Sequence, residues 1–190
     1  MTDAVPLTTE WKPVKLRVED YLMLDDAGAF DSYGRTELIE GEVVYMNALH
    51  RPHARIQTRF LILLAAELAK RSDGLEPLIE GSVSMPPYNV PAPDISVTSE
   101  PEGSGLIPLS SLALVIEVSD TTLRNDLGRK AKIYAREGVP EYWVIDVNAS
   151  VIYQMWRPVS ASYSEQRIVA FGDLLTAAAI SNLTVDTKTL

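Results

Sequence analysis

Leu112-Ala-Leu-Val-Ile-Glu-Val118 is an almost unbroken apolar run with one carboxylate set into it. Such a run reads as a strand covered on both faces, because a half-exposed strand alternates apolar and polar residues instead. Tyr142-Trp-Val-Ile145 reads the same way. Between the two, Thr122–Glu137 carries helical periodicity. Ser119, Asp120 or Thr121 can cap its start, Gly138 suits its end, and Pro140 prevents continuation.

Upstream, Pro52–Arg71 places Ile56, Phe60, Leu63, Leu64 and Leu68 at helical spacing, with Gly74 beyond the end. Strands are expected near Leu78–Met85 and Ala92–Thr98, and a Ser-, Gly- and Pro-rich loop at 99–110. Glu37–Met46 reads as a hairpin turning at Gly41, and Val18–Asp25 as a short helix. Residues 1–16 read as an extended arm, since Pro6 and Pro13 discourage helix. Downstream, a strand at Glu141–Asp146 precedes a hairpin, Val151–Trp156 and Tyr163–Ala170, turning around Arg-Pro-Val-Ser. The tail from Phe171 shows no clear pattern. The order is mixed α/β, and 190 residues suit one domain, 1–190, with a substantial core.

The composition narrows the chemistry. There is no cysteine, which removes disulfides, thiolate metal sites and cysteine nucleophiles. No Gly-x-Ser-x-Gly elbow, zinc-ligand cluster or nucleotide-binding glycine loop is visible. A small-molecule hydrolase would have only His50 and His53 to work with. Apolar runs such as 60–66 are too short to cross a bilayer, and the first residues lack the basic start and apolar stretch of a secretory signal. A cytoplasmic location with no membrane partner is the expectation.

The net charge of −9 is unevenly spread. Arg51, Arg55, Arg59, Lys70 and Arg71 face only Glu67 in one stretch; Arg124, Arg129, Lys130, Lys132 and Arg136 face only Asp126 in another. Local potential rather than net charge steers a polyanion, so these stretches are either phosphate-binding surfaces or ordinary solvated helix faces.

Two carboxylates fall in strands that read as buried: Glu117, and Asp94 within Val90-Pro-Ala-Pro-Asp-Ile-Ser-Val97. A buried carboxylate needs a cation or hydrogen-bond donors. Two on neighbouring strands make either a site for a hard divalent ion or a buried salt bridge beside a strand-end aspartate. On a wheel of about 100° per residue starting at Leu123, Leu127, Ala131 and Tyr134 fall within about 80° of it and form the inward stripe. Lys130, at about 340°, joins that stripe, Asp126 sits at its edge near about 300°, and Lys132 points away at about 180°. Lys130 therefore either reaches Glu117 or a phosphate, or lays its stem inward while its ammonium returns to water.

Together these residues resemble the Uma2 family, grouped with the endonucleases of the PD-(D/E)XK superfamily. The matching pieces are Pro93-Asp94, Val115-Ile-Glu-Val-Ser119, and the run from Asp126 through Lys130, Tyr134 and Gly138-Val-Pro-Glu-Tyr-Trp-Val-Ile-Asp146. Glu37-Leu-Ile-Glu-Gly-Glu42 and Pro52-His53 match its opening segments. The resemblance implies a restriction-endonuclease-like core: a mixed β-sheet flanked by helices, here with extra N-terminal strands and a C-terminal hairpin. It also implies cleavage of DNA with Mg²⁺ or Mn²⁺, with Asp94 and Glu117 as metal ligands and Lys130 as the catalytic cation. The superfamily motif places a lysine where this chain has Ser119, and Lys130 would replace it from the following helix.

Phosphodiester hydrolysis needs those groups: carboxylates to hold an ion that lowers the pKa of water, and a cation to steady charge developing on the phosphate. The Val118 carbonyl could add to the ion's shell. Glu37, Glu40 or Glu42 could complete the acidic set, and His53 could meet a phosphate or carry a proton. A descendant that has lost catalysis and binds nucleic acid or a protein is the alternative that Ser119 suggests. Tyr142, Trp143, Tyr153, Trp156 and Tyr163 crowd the C-terminal third, as core or as the interface of a homodimer.

Overall fold

The computed structural model describes residues 12–46 and 48–190. The expected N-terminal arm before residue 12 lies outside them. In chain order the elements are α1 (Val18–Asp26), β1 (Thr36–Ile39), β2 (Glu42–Tyr45), α2 (Arg51–Leu68), β3 (Glu76–Ile79), β4 (Val83–Ser84), β5 (Ile95–Thr98), β6 (Ile107–Pro108) and β7 (Leu112–Ser119). There follow α3 (Leu123–Asn125), a π-helical turn (Asp126–Lys130), α4 (Ala131–Arg136), β8 (Glu141–Asp146), β9 (Val151–Val159), β10 (Ser162–Ala170), β11 (Leu174–Thr176) and β12 (Thr184–Asp186).

Six strands form the central sheet in the order β10-β9-β8-β7-β5-β3. Every neighbouring pair is antiparallel except β7 and β8. Parallel neighbours cannot be joined by a tight turn, and the helical segment 123–136 makes the crossover between them. The apolar run 112–118 is explained by its position in mid-sheet. Leu114, Ile116 and Val118 pack under α2 with its Ile56, Phe60, Leu64 and Leu68, while Val115 packs against Ala131, Ile133 and Tyr134 on the other face. Each such aliphatic side chain contributes about 1.5–3 kcal/mol through burial. Trp143 on β8 is fully buried and meets Phe60 edge to face at 6.0 Å. Glu117 has the same parity as Val115, so it is directed toward the crossover helix.

The β1–β2 hairpin turns at Glu40 and Gly41, both with positive φ (53° and 79°), the geometry that a two-residue hairpin loop demands. A Cβ on residue 41 would stand 2.7 Å from the Lys15 Cβ, so glycine is needed for space as well.

Two expectations are corrected, and the unpatterned tail takes a definite form. The strand foreseen across Leu78–Met85 is broken at Glu80 (φ 54°); β3 joins the central sheet and β4 pairs in parallel with β6 instead. Arg157-Pro158-Val159 lies within β9, and the hairpin turns at residues 160–161. The tail forms a further hairpin, β11–β12, whose Leu175, Leu183 and Val185 extend the core around α2. It is held by Glu141, fully buried, which accepts Trp143 Nε1 (2.6 Å) and Gln154 Nε2 (2.5 Å) on one oxygen and the Ala178 and Ala179 N–H groups on the other. Of the five C-terminal aromatics, Tyr142 and Trp143 are wholly core, and Tyr163 stacks on Tyr142. No helix among the described residues is long and apolar enough to cross a membrane.

Candidate active site

Asp94 sits where the Pro91-Ala-Pro93 stretch delivers the chain into β5. The β5–β7 ladder ends at the pair Ile95–Ile116, and beyond it the Asp94 carboxylate substitutes for the missing strand: its Oδ2 accepts the Val118 N–H at 2.7 Å. The same oxygen lies 3.2 Å from His53 Nε2, and the Asp94 carbonyl accepts Gln57 Nε2 at 3.1 Å. Pro52 opens α2 and places His53 and Gln57, four residues apart, on its inward face.

Glu117 Oε1 accepts two hydrogen bonds from the crossover helix, from Lys130 Nζ at 2.9 Å and from the Tyr134 hydroxyl at 2.8 Å. The Lys130 ammonium also reaches Glu37 Oε1 at 3.4 Å, and that oxygen accepts the Ala92 N–H at 2.7 Å. Asp94, Glu117, Lys130, Glu37 and His53 are all buried, and all line one cleft of about 580 Å³. Lys132 is exposed, as the wheel predicts.

The helix is not a plain α-helix. Its π turn spans Asp126–Lys130, with the Ala131 N–H bonded back to the Asp126 carbonyl, which also accepts the Tyr142 hydroxyl at 3.1 Å. Such turns recur at functional positions because they re-aim side chains. Ser119, at the motif's lysine position, donates to Asp126 Oδ2 at 2.7 Å and fixes the start of this helix on the sheet.

The cleft is electrostatically unbalanced. Glu37, Asp94, Glu117, Asp120 and Asp126 line it against two permanent cations, Arg129 and Lys130. Burial, together with the charges of Asp94, Asp126 and Glu37, pushes the Glu117 carboxyl up to about 8 despite Lys130. Burial pulls the Lys130 ammonium down, but Glu117 and Glu37 outweigh it and raise its pKa, so it stays protonated. Burial likewise lowers His53 while Asp94 more than compensates, leaving it raised. Burial and Glu117 raise Tyr134, which therefore serves as a neutral donor.

This donor set suits a hard divalent ion. Asp94, Glu117 and Glu37 each engage one carboxylate oxygen; the other accepts no hydrogen bond among the described residues. Among those residues no three His, Asp or Glu side chains are gathered closely enough to enclose an ion. Two carboxylates with water and substrate oxygens is the arrangement Mg²⁺ commonly takes.

The family model described as "Uma2: Putative restriction endonuclease" matches residues 18–188. The chain belongs to the Uma2 family. A search of curated proteins gave no match. Among solved structures, the chain is similar to a putative nuclease belonging to DUF820 from Anabaena variabilis ATCC 29413, at 17% identity and TM-score 0.69, covering 91% of this chain and 96% of that one. At that identity the likeness establishes the fold alone, a mixed sheet flanked by helices.

Within this Uma2 chain the hairpin acids separate cleanly. Glu37 is in the cleft. Glu42 is exposed and bound to Lys15 (2.6 Å) and Arg129 (3.4 Å), and Glu40 is bound to Arg129 and Arg136; neither lines the cleft. His53 is buried against Asp94 rather than displayed at the helix start. Sequence reasoning assigned Tyr134 to the core and overlooked its hydroxyl. A buried tyrosine hydroxyl requires a partner, and that requirement was the available signal.

Proposed function

We propose that this Uma2 protein is a divalent-metal-dependent endodeoxyribonuclease that hydrolyses DNA phosphodiester bonds at the Asp94–Glu117 cleft. The observation that carries the reading is the Lys130 ammonium on Glu117, in a cleft shared with Asp94, which restores from the helix the cation that Ser119 withholds. Asp94 and Glu117 would hold Mg²⁺ or Mn²⁺, with the Val118 carbonyl as a further ligand; the ion would supply Lewis acidity and lower the pKa of water. Lys130 would neutralise charge building on the phosphate. Glu37 orients Lys130, Tyr134 orients Glu117, and His53 with the Val118 N–H fixes the Asp94 carboxylate.

A second reading, binding without cleavage, draws on Ser119, whose hydroxyl is committed to Asp126. Incubation of supercoiled and single-stranded DNA with Mn²⁺ separates the two. The nuclease reading expects cutting that is lost in Lys130→Ala. Retention of DNA with no cutting by the wild type supports the second reading.

A further inference from the structure

The cleft has little grip of its own on a polyanion. Five carboxylates line it, and its permanent cations are engaged, Lys130 by Glu117 and Glu37 and Arg129 by Glu40 and Glu42. Affinity for a nucleic acid has to come from the rim. Tyr45, the last residue of β2, lines the cleft with 65% of its surface exposed. Tyr33, on a short 3-10 turn, stands beside it, 57% exposed, their ring centroids 6.2 Å apart and their planes 32° from parallel. Leu49, 44% exposed, also lines the cleft.

Paired aromatic faces held open to water beside a cleft are what proteins offer to unpaired bases, because every base has an apolar π-face. A base inside a duplex has both faces covered by its neighbours and presents only its edge. Charge complements this platform. Arg51, Arg55 and Arg59 are exposed, spaced four residues apart along one side of α2, and have no ion-pair partner among the described residues. The same helix starts at the cleft, where His50 and His53 line it.

We propose that Tyr45, backed by Tyr33, is a stacking platform for an unpaired nucleobase. The substrate of this cleft is then single-stranded DNA or a strand with an extruded base, its phosphates tracked by Arg51, Arg55 and Arg59. The proposal rests on the nuclease reading and names the substrate class of that same cleft.

The test is fluorescence anisotropy with a labelled single-stranded oligonucleotide and the corresponding blunt duplex, in Ca²⁺, using the full chain. Tyr45→Ala weakens single-strand binding about 10- to 100-fold, the range expected for loss of one stacked base, and leaves duplex binding alone. Tyr45→Phe, which keeps the ring, recovers the affinity, and the thermal melts of both variants match wild type. Single-strand affinity unchanged in Tyr45→Ala, or lost equally for the duplex, overturns the platform. Wild type binding the duplex only overturns it while sparing the nuclease reading, whereas wild type binding neither oligonucleotide overturns both.

Discussion

Removing the Lys130 ammonium leaves Glu117 and Glu37 buried with no cation between them. Breaking a buried pair from one side typically costs about 3–5 kcal/mol. Lys130→Met is therefore expected to lose stability on that order near pH 8 and less near pH 6, where Glu117 takes up a proton instead. Urea denaturation at the two pH values checks this, and added Mg²⁺ should restore part of the loss. Tyr134→Phe is milder. It keeps the ring against Tyr142 at 4.9 Å and removes one donor to Glu117, a change worth about 1 kcal/mol. Its turnover should fall roughly fivefold, the kinetic equivalent of about 1 kcal/mol, with DNA affinity unchanged. At this scale much of the site was legible. Asp94 and Glu117 stood out as carboxylates in apolar strands, and helical geometry selected Lys130 over Lys132. Glu37 could not be told from Glu40 and Glu42, because nothing within one short hairpin says which end faces the crossover helix's Lys130 and which meets Arg129.

The elements that position these residues were read correctly where burial is two-sided and poorly where it is local. β7 and β8 show as unbroken apolar runs, and α2 and the crossover helix as helical periodicity long enough to read. The break at Glu80 and the β11–β12 hairpin depend on partners distant in sequence, β6 and α2, which no local pattern announces. Glu141 is the clearest example: a carboxylate in an apolar strand, like Glu117, yet satisfied by four donors and committed to anchoring the tail. Glu141→Ala strands those donors in the core and is expected to cost several kcal/mol, on the order of 3–5, by freeing the β11–β12 hairpin from the sheet. Hydrogen exchange of 174–186 would rise in the variant while protection of β7 and the crossover helix at the cleft persists. Unchanged protection there would contradict the anchoring role.

Across the whole molecule the unpaired excess of negative charge in one cleft sets a pH dependence. Glu117 titrates near about 8 in the fold against an ordinary value of 4.5. A group whose proton the fold holds more tightly stabilises it fully below that ordinary value, and this stabilisation is lost as pH rises through about 8. His53, also raised, acts in the same direction above 6.5. Without divalent ions, the melting temperature is therefore expected to fall between about pH 5 and about pH 8.5, and Mg²⁺ or the Glu117→Gln change should flatten that slope. A melting temperature that does not fall with pH across this window would contradict the raised Glu117 pKa. The central claim is that the Asp94–Glu117 pair cuts DNA with a divalent ion. It is tested most directly by incubating supercoiled and single-stranded DNA with Mg²⁺ or Mn²⁺ and comparing wild type with Asp94→Ala. Metal-dependent cutting by the wild type, abolished in the variant at unchanged fold, is the result predicted. Equal cutting by both proteins, or none by the wild type with either ion, would contradict it.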